Sequence, residues 1–282
     1  MFVPFCANID DEASRLGASP VRDALEAATA ALQSAGCETP RLDAELLVAD
    51  ALGLERAVLI ADPSSVVPAR VARLIGERVR RRVAREPVAY ILGRKGFRYI
   101  DVAVDARVLI PRPDTELLVE VALELPPRAR VHEVGTGSGA VALALLDERP
   151  DLRVSASDAS GAAIDLAREN AARLGSELDL VVLEGMVSGE FDMVLANLPY
   201  VADGELRSLA PEIRLHEPHE ALLGGPDGLE QIRGLVAQAP AGTRLALEHA
   251  PHQAAAVRSL LAGAETRLDL AGRERVTVGW VP

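Results

Sequence analysis

The stretch Arg130-Val131-His132-Glu133-Val134-Gly135-Thr136-Gly137-Ser138-Gly139 decides the fold. Five residues of strand character run into three glycines at alternate positions, and helical spacing resumes from Ser138. Glycines at 135, 137 and 139 free the backbone from Cβ crowding where strand becomes helix, so a ligand can lie against main-chain N–H groups at the helix's positive end. Working outward, the pattern alternates. A helix over Asp114 to Leu125 precedes strand 130 to 134, and helix 138 to 147, strand 152 to 157, helix 160 to 174 and strands 179 to 183 and 191 to 196 follow. Helix Leu229 to Ala239, strand Thr243 to Glu248, helix Pro251 to Ala262 and a last strand Arg275 to Val281 complete it. This alternation predicts an α/β fold with a doubly wound, mostly parallel sheet.

The first part of the chain reads differently. From Pro20 to about Arg85 apolar residues recur at helical spacing, as Val21, Leu25, Ala28 and Leu32 and then Leu42, Leu46, Leu47 and Leu54, with breaks at Gly36 to Pro40 and Asp62 to Pro68. Short alternating segments between Pro87 and Pro113 predict a hairpin. The expected domains are therefore a small helical domain over 1–88, a β-hairpin linker over 89–108 and an α/β domain over 109–282. In Pro111-Arg112-Pro113-Asp114-Thr115-Glu116, Pro113 suits a first helical turn, and the acidic residues suit its positive end.

The net charge is -12, yet residues 1 to 100 hold 13 acidic and 14 basic side chains, so the acidic excess lies in the remainder. That balance argues against direct nucleic-acid binding, which needs clustered Lys and Arg. The densest basic run, Arg78, Arg80, Arg81, Arg82 and Arg85, reads as a solvated helix face or a contact for an acidic partner or RNA. Neither a membrane-spanning stretch nor a signal-peptide pattern stands out, and Cys6 and Cys37 have no metal-ligand spacing; a soluble, cytoplasmic protein is expected.

The glycine spacing is GxGxG, and no Gly-Lys-Ser/Thr follows, which favours an adenosyl amino acid over a gripped phosphate. Asp158 ends the next strand, where a carboxylate can accept both ribose hydroxyls. Asn197-Leu198-Pro199-Tyr200 closes the apolar run Phe191 to Ala196 and forms a pocket for a planar NH2 group. An amide or adenine nitrogen is a poor nucleophile, so its two N–H bonds need acceptors. The Asn197 side-chain oxygen can take one and the Leu198 carbonyl the other, since Pro199 biases residue 198 to an extended conformation. These two oxygens would also offset charge developing on nitrogen as a methyl arrives. Tyr200 would wall or stack on the planar group.

At this point the chain resembles the HemK/PrmC-type peptide chain release factor N5-glutamine methyltransferases. The likeness is carried by Glu86 to Gly93, Leu109 to Glu116, Gly135 to Gly139, Asp158, Asn197 to Tyr200, Glu217-Pro218, Ala221 to Leu229, Glu248-His249 and Asp269 to Arg275. It implies a sheet of the S-adenosylmethionine-dependent methyltransferase type. It also implies S-adenosyl-L-methionine as cofactor, with S-adenosyl-L-homocysteine as product, and methylation of the glutamine in the Gly-Gly-Gln loop of bacterial class 1 release factors. By the same likeness Glu133, Gly135, Thr136, Gly137, Ser138, Gly139, Asp158, Met186 and Asn197 hold the cofactor, Asn197 to Tyr200 hold the amide, Arg112 and Glu116 line the pocket, and the helical domain helps dock the release factor.

Four residues depart from the family pattern. Leu198 stands where proline is usual, Glu133 where aspartate is usual, and His216 where tyrosine is frequent. Met186 is expected near the adenine where an acidic residue is common, so an apolar contact would replace a hydrogen bond. Rival readings are an adenine-N6 methyltransferase on RNA or DNA, a ribosomal protein glutamine methyltransferase, and a non-catalytic adaptor for release factors or ribosomes.

Overall fold

The structure is a computed structural model that describes residues 19 to 282; the readings made of Cys6 and of the first residues lie outside that range. Two compact units divide the chain, the first ending at Leu92 and the second running from Gly93 to Pro282.

The first unit is helical: α1 (Val21–Ser34), α2 (Pro40–Leu52), α3 (Arg56–Ala61), α4 (Ala69–Val83) and α5 (Val88–Leu92). In α1 the expected stripe of Val21, Leu25, Ala28 and Leu32 is buried. In α2 the core face is Ala44, Leu47 and Val48, while Leu42 and Leu54 are exposed. The shift has an electrostatic cause. Asp43 and Glu45 turn inward, Asp43 pairing with Arg82 at 2.7 Å and Glu45 with Arg41 and Arg56 at 2.6 and 3.0 Å. The basic run is accordingly only in part a solvated face, with Arg80 exposed. Arg78 pairs with Asp50, Arg81 with Glu86, Arg82 is buried, and Arg85 donates to the carbonyls of Ala35 and Gly36 at the end of α1.

The second unit opens with a hairpin, β1 (Arg94–Phe97) and β2 (Ile100–Ala103), and with α6 (Glu116–Leu123) after a short 3-10 turn at Pro113–Thr115. The division falls at Leu92, so the hairpin is part of this unit. Arg98 pairs with Glu148, and Asn170 brackets Ala103, its Oδ1 accepting from the Ala103 N–H at 2.7 Å and its Nδ2 donating to the Ala103 carbonyl at 3.0 Å.

The sheet proper comprises β3 (Arg130–Val134), β4 (Arg153–Asp158), β5 (Asp179–Val182), β6 (Met193–Ala196), β7 (Arg244–Glu248), β8 (Ala262–Leu268) and β9 (Glu274–Trp280). Helices α7 (Ala140–Glu148), α8 (Gly161–Leu174), α9 (Pro211–His216), α10 (Glu230–Gln238) and α11 (Ala254–Ser259) connect them. The strand order is β5-β4-β3-β6-β7-β9-β8, parallel from β5 to β7, with β9 antiparallel to both β7 and β8. The helix expected over Pro251 to Ala262 ends as α11 at Ser259, and strand β8, for which no element is expected, follows it. As an edge strand with Glu265 and Arg267 on it, β8 carries little apolar alternation, and the charges suit an open edge. One face of the sheet buries Val134, Val194, Ala196, Leu245 and Leu247 against Ile232 and Leu235 of α10 and Val257 of α11. No helix among the described residues is long and apolar enough to cross a membrane.

The chain leaves β3 toward β4 and β5 and returns to β6 on β3's other side. The β3/β6 junction is therefore the switch point where open α/β sheets bind ligands. Pairing of Val134 with Ser157 and Ala196, and of Ala196 with Leu247, aligns the residues that follow these four. Asp158, Gly135, Asn197 and Glu248 thus stand in one row along the carboxyl edge.

Candidate active site

A cavity of about 620 Å³ opens at that edge. Its wall includes Gly135 to Ser138, Asp158, Asn197, Leu198 and Pro199, together with Thr115, Glu133 and Pro218. The two motifs touch: a Cβ on Gly135 would lie 3.2 Å from Leu198 Cδ2 and 3.8 Å from the Asn197 carbonyl. Gly135, Gly137 and Gly139 have φ of +75°, +56° and +81°, a conformation that L side chains rarely adopt.

These glycines do not offer the loop's N–H groups to a ligand, as the sequence suggested. Gly135 and Thr136 both donate to the Ser157 carbonyl, at 2.9 and 3.0 Å, Gly137 donates to Asp158 Oδ2 at 2.9 Å, and Gly139 to the Thr136 carbonyl at 2.9 Å. Positive φ winds the loop back onto the end of β4 and uses the N–H groups of Gly135, Thr136, Gly137 and Gly139 within the fold. The cavity wall bears four carboxylates, Glu133, Asp158, Glu184 and Glu220, against one guanidinium, Arg107, which is itself held by Asp105 and Glu169. Such a wall favours a cationic ligand over a pyrophosphate.

Asp158 accepts backbone N–H bonds on both oxygens, from Gly137 and from Ser160, each at 2.9 Å, and burial raises its pKa. Each oxygen retains a lone pair for a hydroxyl. Glu133 is buried; one oxygen accepts from Thr136 Oγ1 at 2.7 Å and from the Ala142 N–H at 3.0 Å, and burial pushes its carboxyl up to about 8. Its longer side chain thus fastens the glycine loop to α7 as well as facing the cavity.

Asn197 donates from Nδ2 to the buried Thr115 hydroxyl at 3.0 Å, leaving Oδ1 as its acceptor. Among the described residues no N–H donates to the Leu198 carbonyl. The leucine side chain, in place of the expected proline, packs against the core cluster beside Val134. Tyr200 lies outside the cavity wall; its hydroxyl donates to Glu248 Oε1 at 3.2 Å, and burial raises its pKa. The Tyr200 main chain is gripped instead. Its carbonyl accepts from Gln253 Nε2 at 2.9 Å, and a Cβ on Gly228 would come within 2.2 Å of it. A Cβ on Gly224 would likewise come within 2.4 Å of the Pro199 carbonyl, which explains Gly224 and Gly228.

Arg112, Glu116 and Met186 do not line the cavity, contrary to the sequence reading. Arg112 pairs with the buried Glu217, which also accepts the Ile110 N–H at 3.2 Å. Glu116 accepts the Arg98 N–H at 3.2 Å. Met186 packs with Phe191 against the core cluster, and the wall at that point is Leu183, Glu184 and Gly185, so an acidic group is present after all. The apolar side chain followed the core because burial is its largest gain.

Sequence reasoning missed Asn170, Thr115 and Arg275. Asn170 donates to the Ser138 carbonyl at 2.9 Å and so ties the glycine loop to the hairpin. Arg275 pairs with Asp114 at 3.0 Å, which fixes the turn that carries Thr115. Thr115 and Arg275 stand within motif segments, whereas Asn170 lies in α8 outside all of them.

Residues 23–93 match the PrmC N-terminal domain family and residues 113–224 the methyltransferase small domain family. The release factor glutamine methyltransferase of Xylella fastidiosa is 42% identical over 260 residues, covering 86% of this chain and 94% of its own. That of Deinococcus radiodurans is 42% identical over 271 residues, covering 90% and 96%, and that of Caulobacter vibrioides 38% over 265 residues, covering 88% and 92%. With this identity across both units, over an edge that joins a glycine turn, an acidic cavity and the Asn197 tetrapeptide, the chain belongs to the release factor glutamine methyltransferase family.

Proposed function

We propose that this chain transfers a methyl group from S-adenosyl-L-methionine to the side-chain amide nitrogen, N5, of the glutamine in the Gly-Gly-Gln loop of bacterial class 1 release factors. Family membership supports the reaction class. The observation that carries the reading is the Asn197 amide, whose NH2 is bound to Thr115 at 3.0 Å while its oxygen remains available beside the glycine turn.

The donor set fits the cofactor. Asp158 would accept ribose hydroxyls, the wall carboxylates Glu184 and Glu220 would favour the positively charged end, and Leu183 with Glu184 would flank the adenine. When bound, S-adenosyl-L-methionine supplies a methyl group on a positively charged sulfur. Asn197 Oδ1 and the Leu198 carbonyl accept the two N–H bonds of the glutamine amide and hold its nitrogen in line for attack. As nitrogen gains positive charge, the same two oxygens offset it without a strong base, and the surplus proton would pass to water. Pro199 fixes the turn between them. A release-factor substrate fits work in the bacterial cytoplasm.

Incubating the protein with methyl-labelled cofactor and a purified class 1 release factor, then mapping the product by mass spectrometry, tests this. A single added methyl on the glutamine of the Gly-Gly-Gln peptide is expected. Label on a different residue, or transfer only to RNA, overturns it.

A further inference from the structure

Resting on the reading that S-adenosyl-L-methionine binds in this cavity, we propose that Asn170 is a positioning residue that fits two adjoining parts of the cofactor wall together, the glycine loop and the segment Arg107 to Leu109. It lines the cavity nowhere itself. Asn170 sits on α8 at 0% exposure. A carboxamide so deeply buried needs partners for its polar atoms, and here every bonding position is filled.

The bonds reach two separate places. Oδ1 accepts the Ala103 N–H at 2.7 Å and Arg173 Nη1 at 3.3 Å, while Nδ2 donates to the Ala103 carbonyl at 3.0 Å and to the Ser138 carbonyl at 2.9 Å. Carbonyls only accept and an N–H only donates, so the amide fits one way round. In the hairpin the Val104 N–H turns toward the Gly93 carbonyl, and Ala103 therefore presents both of its backbone groups on the other edge of β2. Asn170 pairs with that edge as the peptide of a third strand would.

At the glycine loop the same side chain takes a place left open by α7. In an unbroken helix the Ser138 carbonyl would accept the Ala142 N–H, four residues on. That N–H goes instead to Glu133 at 3.0 Å, and Asn170 satisfies the carbonyl. Two buried side chains thus divide one helical bond, Glu133 on the cavity wall and Asn170 fastened to the hairpin.

Beyond Ala103 the chain runs directly into the cavity wall at Arg107, Val108 and Leu109, and a Cβ on Gly137 would lie 4.0 Å from Val108 Cβ. The segment and the loop therefore meet at the cavity, each held a few residues away by one amide. Burial of Val104 and Val108 presses the segment down but, being non-directional, does not fix its register. The other polar tie to α8, Arg107 with Glu169, is exposed and contributes little. Linkage then makes the role of Asn170 measurable: if the bridge favours the form that binds cofactor, cofactor favours the bridge by the same factor.

Calorimetry with S-adenosyl-L-methionine, single-turnover transfer to a class 1 release factor, and amide hydrogen exchange at Ala103 test this on the full chain. In wild type, cofactor should slow Ala103 exchange on the order of tenfold. Asn170→Leu, similar in size but without the bonds, should bind cofactor more weakly by a matching factor, with transfer at saturating cofactor within a few fold of wild type and with Ala103 exchange that no longer responds to cofactor. Asn170→Asp keeps the acceptor for Ala103 but sets oxygen against both carbonyls, and should bind no better than Asn170→Leu. Lower thermal midpoints with wild-type cofactor affinity in both variants would make Asn170 a fold residue only and overturn the proposal, as would an Ala103 response that survives in Asn170→Leu. Wild-type exchange at Ala103 that ignores cofactor overturns it too, whether or not the variants fold. A wild-type protein that binds no S-adenosyl-L-methionine removes the cofactor reading and this inference with it; wild-type binding that both variants retain removes this inference alone.

Discussion

The helical unit and the sheet's carboxyl edge treat buried acid in opposite ways. In the helical unit Asp43 lies 2.7 Å from Arg82, both side chains 7% exposed, and Glu45 is held between Arg41 and Arg56. At the edge, Glu133 and Glu248 are as deeply buried, yet the donors bonded to them are hydroxyls and a backbone N–H. Elsewhere in the second unit acids are again paired, as Glu217 with Arg112 and Asp269 with Arg273. Glu133 and Asp158, both raised by burial, line the cavity, while Glu248 ends β7 outside its wall. Perturbed carboxyls gathered in one cavity are the physical mark of a candidate site.

The sharpest break between the two regions is Asn197→Ala. Removing the acceptor should lower the single-turnover rate by about two to four orders of magnitude, the scale of losing one preorganised polar contact, with cofactor affinity and thermal midpoint nearly unchanged. An equal loss of rate and affinity would assign Asn197 to cofactor binding instead. Arg82→Ala should do the converse. It leaves Asp43 buried without its base, at a cost of roughly 3–5 kcal/mol in denaturant unfolding. Replacing both partners, as Asp43→Leu with Arg82→Met, should recover most of it; if the double variant is no better than the single, the loss comes from packing and not from a stranded charge.

How much of this was legible follows from the range of the forces involved. The glycine loop, Asp158 and Asn197 were readable because each sits beside a strand end, where local pattern and backbone conformation coincide. The parallel sheet was readable for the same reason. Buried pairing was not, since Arg82 reaches back thirty-nine residues to Asp43, and a run of arginines looks the same whether solvated or paired. Thr115 was passed over because its partner, Asn197, lies eighty-two residues along the chain and meets it only through the fold. Met186 was misplaced because sequence spacing near a strand end cannot say which residue faces the cavity and which turns into the core.

Asp158→Ala should weaken cofactor binding on the order of ten- to a hundredfold, as expected for hydrogen bonds to a charged group, while transfer at saturating cofactor stays within a few fold of wild type. Asp158→Asn keeps an oxygen for the Gly137 N–H and should fall between the two. Unchanged affinity in both variants would remove Asp158 from the cofactor site and leave it a loop staple.

The smallest effect is also the most direct measure of the contrast. Glu133, pushed up from 4.5 to about 8 by burial, holds its proton more tightly folded than unfolded. Its contribution to stability is therefore complete below the unfolded value and is lost as pH rises toward 8, with a slope of at most about 1.4 kcal/mol per pH unit. Glu133→Gln has no proton to lose, so its unfolding free energy should fall less steeply between about pH 5 and 8 than that of wild type. Glu248 adds the same slope to both proteins and cancels in the difference. A positively charged cofactor offsets the ionised Glu133, so S-adenosyl-L-methionine should stabilise wild type more at pH 8 than at pH 6, while Glu133→Gln should gain the same amount at both. Parallel stability curves for the two proteins, with and without cofactor, would mean that Glu133 stays ionised throughout, and the edge would then tolerate unpaired charge no differently from the helical unit.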